Sequence, residues 1–159
     1  SQPMQIDSLL PNSEESPADS LSDYEPVDTS YCLLYLACTL VPRLPAHHLA
    51  GDIVSLLRRW CSDLCLAYGW RLELISAGIE HLSWVARVPS LTSPEEHLKI
   101  IRTHLSKKVF DHFPSLERDN PSGDFWAPGY LVSGSPTLHD DAVVQAFVNQ
   151  VRQRQGFSK

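Results

Sequence analysis

The chain has 159 residues, 43% hydrophobic and 20% charged, enough for one domain with a real apolar core and little more. No apolar run approaches the roughly 20 residues of a membrane span, and no basic region leads into an apolar stretch near the start, so neither a transmembrane helix nor a signal peptide is expected and a cytoplasmic address is the default. The net charge of −6 is uneven: residues 1–30 hold Asp7, Glu14, Glu15, Asp19, Asp23, Glu25 and Asp28 with no Lys or Arg, which leaves twelve acids against all thirteen bases beyond them, a net of +1.

Residues 1–28 are rich in Ser, Pro, Asp and Glu, with one apolar island at Ile6, Leu9 and Leu10. Such a composition buries too little surface to offset its ordering entropy, so it reads as an acidic, low-complexity arm ahead of a domain at 29–159. The run 31–41 (YCLLYLACTLV), ended by Pro42 and Pro45, reads as a buried strand. From Pro45-Ala46 to Gly69 an amphipathic helix is expected, because Leu49, Ile53, Leu56, Leu57, Trp60 and Leu64 recur at three- and four-residue steps.

Residues 70–88 read as a bent strand or hairpin broken at Gly78. Ser93-Pro94-Glu95-Glu96 starts the next helix, with a hydroxyl cap, a first-turn proline and acids where the helix dipole favours them. Leu98, Ile101, Leu105, Val109 and Phe113 form its buried stripe, Lys99, Arg102, Lys107 and Lys108 its basic surface, and Pro114 closes it. After a loop at 115–124, a strand is expected over about 125–133. A last helix then follows from Asp140-Asp141, with Val143, Val144, Phe147, Val148 and Val151 apolar. The order β-α-β-β-α-β-α predicts an α+β, ferredoxin-like split β-α-β fold with an antiparallel sheet and an added C-terminal helix.

Cys32 and Cys38 fall along a strand and Cys61 and Cys65 in a helix, each among apolar neighbours and without zinc-knuckle spacing, so buried free thiols are expected.

Four stretches in order resemble the HUH single-tyrosine transposases of the insertion-sequence two-hundred-like and repeat-associated types. They are Ile79-Glu80-His81-Leu82-Ser83-Trp84-Val85, the helix from Ser93 to His112 with its Ser-Lys-Lys run, Phe125-Trp126-Ala127-Pro128-Gly129-Tyr130-Leu131-Val132, and Phe147-Val148-Asn149-Gln150. The likeness covers roughly residues 30–151. It implies a metal-assisted transesterification in which a tyrosine attacks a DNA phosphodiester, two histidines two apart on a strand hold one divalent cation, and a helical glutamine completes the ligands.

Against that pattern, His81 matches the first histidine and Gln150 the glutamine. Ser83 stands where the second histidine belongs, and Ala146 or, shifted by one, Phe147 stands where the nucleophile belongs. Neither Ala nor Phe has a hydroxyl to attack a phosphate, and a serine is a poor metal ligand beside imidazole. The resemblance thus implies a catalytically inactive, domesticated relative with at most a vestigial metal site at His81, Ser83 and Gln150 and no cofactor otherwise.

What remains is a binding function for hairpin or single-stranded DNA or RNA. The candidate contacts are Lys99, Arg102, Lys107 and Lys108, extended by Arg58 and Arg59 and by Arg152 and Arg154. Trp84, Trp126 and Tyr130 are candidates for base stacking or for packing, and His97, His104 and His112 for one side of the basic helix. A second reading is a dimeric interaction module that has lost nucleic acid, with Val144, Phe147, Val148 and Val151 at the interface. A third is an active nickase with an unconventional nucleophile. In the first reading, the acidic arm is a tethered competitor for the phosphate path; the alternative is a solubilising tail.

Overall fold

The structure is a computed structural model that describes residues 33–157. The expected arm at residues 1–28, its boundary, and Cys32 lie outside the described residues. Eight elements follow in order: β1 (Leu33–Leu40), α1 (Asp52–Tyr68), β2 (Arg71–Gly78), β3 (His81–Pro89), α2 (Pro94–His112), α3 (Pro114–Asp119), β4 (Leu131–Ser133) and α4 (Asp141–Arg154).

The strands form one sheet in the order β2-β3-β1-β4, each neighbour antiparallel. This is the split β-α-β arrangement, with the expected helix added after the last strand. β1 and β3 pair along their whole length, from Leu33 opposite Pro89 to Leu40 opposite Leu82. β2 and β3 are a hairpin closed at Ile79-Glu80, with an irregularity between Leu72 and Leu74.

Alternation along the strands divides the sheet into two faces. One face carries Leu36, Cys38, Leu40, Leu82, Trp84, Ala86 and Val88 into the main core, against α1 through Ile53, Leu57, Cys61 and Leu64 and against α2 through Leu98, Ile101, Leu105 and Val109. Cys38, Cys61 and Cys65 are free and buried there, as expected, and burial pushes the Cys38 thiol well up. On the other face, α4 packs Val144, Phe147, Val148 and Val151 onto Val41, Ala127 and Leu131.

Three boundaries differ from expectation. α1 begins at Asp52, not at Pro45-Ala46. Pro45-Ala46 is a turn, and Gly51 takes a positive φ of 74° that breaks any helix continuing through it. Leu49 is buried from that loop, its N–H bonded to the Ile79 carbonyl at 2.8 Å, which is why its spacing mimicked a helical stripe. Pro114 closes α2 but also opens α3 inside the expected loop, because its fixed φ suits a first helical turn. The strand expected over 125–133 shrinks to Leu131–Ser133, with a lone bridge from Trp126 to Pro42. Pro128 has no N–H for a ladder, Gly129 turns with φ 92°, and Arg102 takes the carbonyls of Trp126, Ala127 and Gly129.

Candidate functional site

The positions that matter lie on the face covered by α4. His81 and Ser83 share it because they are two apart on β3, and the register sets Thr39 of β1 directly opposite Ser83. The Ser83 hydroxyl is buried and bonded to the Thr39 hydroxyl at 2.7 Å. Thr39 Oγ1 also meets His139 Nδ1 at 2.9 Å, and the other ring nitrogen, Nε2, meets Ser133 Oγ at 3.1 Å. Four side chains from β1, β3, β4 and the loop before α4 thus form one hydrogen-bonded chain. Burial lowers the pKa of His139 against the opposing pull of Asp140, which favours a neutral ring that donates through one nitrogen and accepts through the other.

His81 lies at the hairpin mouth opposite Gly78, its ring resting where a Gly78 side chain would stand. Burial lowers its pKa, opposed by Asp141 and Glu80. Among the described residues, no hydrogen bond joins His81 to Ser83 or Gln150, and no group of three or more His, Cys, Asp or Glu side chains converges. On α4, Ala146 and Gln150 are exposed and line an open groove of about 570 Å³ beside Leu131. Phe147, one position on, points into the packed cluster with Val41 and Ala127.

The expected cations divide into two groups. Lys99, Lys107 and Lys108 on α2 and Arg58 and Arg59 on α1 are exposed, and Lys108 stands with Trp60, Ala67 and His104 along a groove of about 210 Å³ between the two helices. Lys107 is 3.1 Å from Asp111, an exposed pair one helical turn away, and Arg58 reaches the Ile75 carbonyl at 3.4 Å.

Arg102 is different and corrects the expectation. Its Nε donates to Asp124 Oδ2 at 2.9 Å, and its terminal nitrogens donate to the carbonyls of Gly129, Trp126 and Ala127. Asp124 Oδ1 accepts in turn from Ser106 Oγ and from the Trp126 N–H, both at 3.0 Å. Most of this guanidinium's N–H groups are taken up in ordering residues 124–129, which leaves little of it for a phosphate. Arg152 is likewise buried, donating to the Arg43 carbonyl at 3.1 Å and to Gln155 Oε1 at 2.8 Å.

Several other candidate contact residues are internal. Val144, Phe147, Val148 and Val151, candidates for a dimer interface, are buried within the chain itself, against Val41, Ala127 and Leu131. Trp84 and Trp126 have no accessible surface for stacking on a base, whereas Tyr130 is partly exposed. His97 leaves the helix surface altogether: its Nε2 accepts from Trp84 Nε1 at 3.1 Å, and its ring lies 4.4 Å from that of Trp70. Burial lowers its pKa to about 4.

His139 escaped the sequence reading because a lone histidine before a helix start has no periodicity to mark it. The pairing that gives it meaning spans 100 residues. The paired strand arginines Arg71 and Arg87 were missed for the same reason, since only strand register makes them neighbours.

No family model matches the sequence, and no curated protein matches it. Solved structures do. The chain is similar to a candidate transposase from Deinococcus radiodurans R1, with a TM-score of 0.63 and 15% identity over 80% of this chain and 93% of that one. It is also similar to a REP-associated tyrosine transposase bound to a REP hairpin, with a TM-score of 0.46 and 10% identity over 78% of this chain and 69% of that one. At 15% identity the first likeness is one of fold: an α+β chain with a four-stranded antiparallel sheet among its described residues and a transposase-like split β-α-β order. The fold implied by the resemblance to single-tyrosine transposases is therefore the fold found. No helix among the described residues is long and apolar enough to cross a membrane.

Proposed function

We propose that this chain is a transposase-like nucleic-acid-binding protein that holds hairpin or single-stranded DNA or RNA without cutting it. The observation that carries the reading is the state of the catalytic positions on this fold. Ser83, in place of a metal-binding histidine, commits its buried hydroxyl to Thr39 in a chain that continues to His139. Ala146 offers a methyl group and Phe147 is packed inward, so neither supplies a nucleophile. His81, Ser83 and Gln150 do not fit a divalent cation as a ligand set, because the Ser83 hydroxyl is already bonded to Thr39.

Binding is supported separately by the exposed cations of α1 and α2, a surface suited to phosphate and dependent on salt. The test is fluorescence anisotropy of labelled hairpin and linear strands across a salt series, with a denaturing gel for a covalent protein–DNA adduct. The expected result is salt-sensitive binding with no adduct. An adduct overturns the inactive reading. Absence of binding at low salt overturns the binding reading and leaves the protein-interaction module.

A further inference from the structure

The end of the sheet away from the β2–β3 turn carries a cross-strand row that no helix cation belongs to. Arg87 of β3 is directly opposite Arg71 of β2 on one side and Tyr35 of β1 on the other. All three project from the same face as His81 and Ser83, because Arg87 follows them at even spacing along β3. Two like charges directly opposite each other destabilise a sheet unless something offsets them.

Little among the described residues does so. Among the described residues, no carboxylate lies within 4.0 Å of Arg87, and its Nε is buried without a hydrogen-bond partner. Arg71 meets Glu73 at 3.8 Å, but the Arg71 side chain is 65% exposed, so that pair is weak and readily exchanged. The Arg87 guanidinium carbon sits 5.2 Å from the centre of the Tyr35 ring, a cation–π contact that fixes the fork beside a half-exposed aromatic face.

We propose that Arg71, Arg87 and Tyr35 form a binding site for single-stranded nucleic acid, the two guanidiniums taking backbone phosphate and the tyrosine a base. This rests on the nucleic-acid reading above and deepens it by naming a second contact surface, on the sheet rather than on α1 and α2. Planar guanidiniums match phosphate oxygens in bidentate fashion, and sequence-tolerant stacking on an aromatic ring is how such strands are held without base readout. Arg87 lies six residue steps beyond His81, about 20 Å along β3, so a strand of several nucleotides spans the two ends of the face.

The test uses the full chain and labelled (dT)12 and (rU)12, which share the phosphodiester chemistry and separate DNA from RNA as its source. Affinity is read across a salt series for the wild type and for Arg71→Gln, Arg87→Gln, the double variant, Tyr35→Ala and Tyr35→Phe. The double variant is expected to bind on the order of tenfold more weakly. Its log–log salt slope should be shallower by about 1.4, or about 0.7 for each lost phosphate contact. Tyr35→Ala should weaken binding with the slope unchanged, and Tyr35→Phe should restore it. Should Arg87→Gln unfold, Arg71→Gln carries the test, since that side chain is mostly in solvent.

A wild type that binds while Arg71→Gln and the double variant keep its affinity and slope overturns this site and leaves the nucleic-acid reading standing. A wild type that binds neither strand nor the hairpin overturns both.

Discussion

The two faces of the sheet are built on opposite principles. Beneath α1 and α2, the strands contribute Leu36, Cys38, Leu40, Leu82, Trp84 and Ala86, and nearly every buried group is apolar. The most conspicuous exception, His97, is held between Trp84 and Trp70 and kept neutral. On the opposite face, the strands contribute Thr39, Ser83, His81, Ser133 and Arg87, with a much smaller apolar cluster under α4 at one end. One face does most of the work of stability. The other tolerates hydroxyls, imidazoles and guanidiniums whose partners are each other or solvent, which is the condition under which a site can persist or decay without the fold being lost.

That contrast is broken or sharpened by perturbing each face in turn. Trp84→Ala removes a fully buried ring from the middle of the helix-covered face and should cost about 4 kcal/mol of stability in a denaturant titration. A cost near 1 kcal/mol would mean that the core is not concentrated there.

The next effect is acid sensitivity centred on His97. Its folded pKa, about 4, lies below the ordinary 6.5 because burial penalises the cation, so the unfolded chain binds more protons between those values. Its contribution is therefore complete above pH 6.5 and lost as the pH falls toward 4, by roughly 3 kcal/mol in all. Thermal melts from pH 7 to pH 4 read this directly, and His97→Leu should remove most of the slope.

Arg102→Gln tests the connection between the faces, since this α2 side chain orders the segment that leads to β4. The loss should be about 2 kcal/mol, with faster proteolysis within 124–130. A variant that keeps full stability but binds nucleic acid less tightly would return Arg102 to the list of phosphate contacts.

Ser83→Ala should have the smallest effect, about 1 kcal/mol, because Thr39 keeps its bond to His139 after the serine hydroxyl is gone. A Thr39→Val and Ser83→Ala double-mutant cycle measures the coupling between the two hydroxyls. If Ser83→Ala costs as much as Trp84→Ala, the second face carries stability too, and the distinction between the faces fails.

Much of this was legible from local pattern. The continuous apolar run at 33–40, the hairpin broken near Gly78 and the capped helix after Ser93 each carry their signal within a dozen residues. There the Ser93 hydroxyl accepts from the Glu96 N–H at 3.0 Å, as the cap predicts. Their order determined the split β-α-β topology, because antiparallel neighbours and right-handed connections leave few alternatives. It was the family resemblance, not periodicity, that marked His81, Ser83, Ala146 and Gln150 as the positions to inspect.

Where locality failed, the cause was an interaction between distant residues. Arg102 resembles any surface cation until Asp124 and three carbonyls are folded around it, and His97 resembles a surface histidine until Trp70 and Trp84 close over it. The valines and phenylalanine of α4 are apolar whether they meet a second subunit or their own sheet. Only the packing against Val41 and Leu131 decides between them. The sequence by itself determined which elements form, since propensity, capping and side-chain identity are properties of neighbouring residues. The tertiary structure alone decided which cations stay free, that His139 joins Thr39 and Ser83, and that Arg71, Arg87 and Tyr35 stand in a row, because burial and strand register exist only once distant segments are paired.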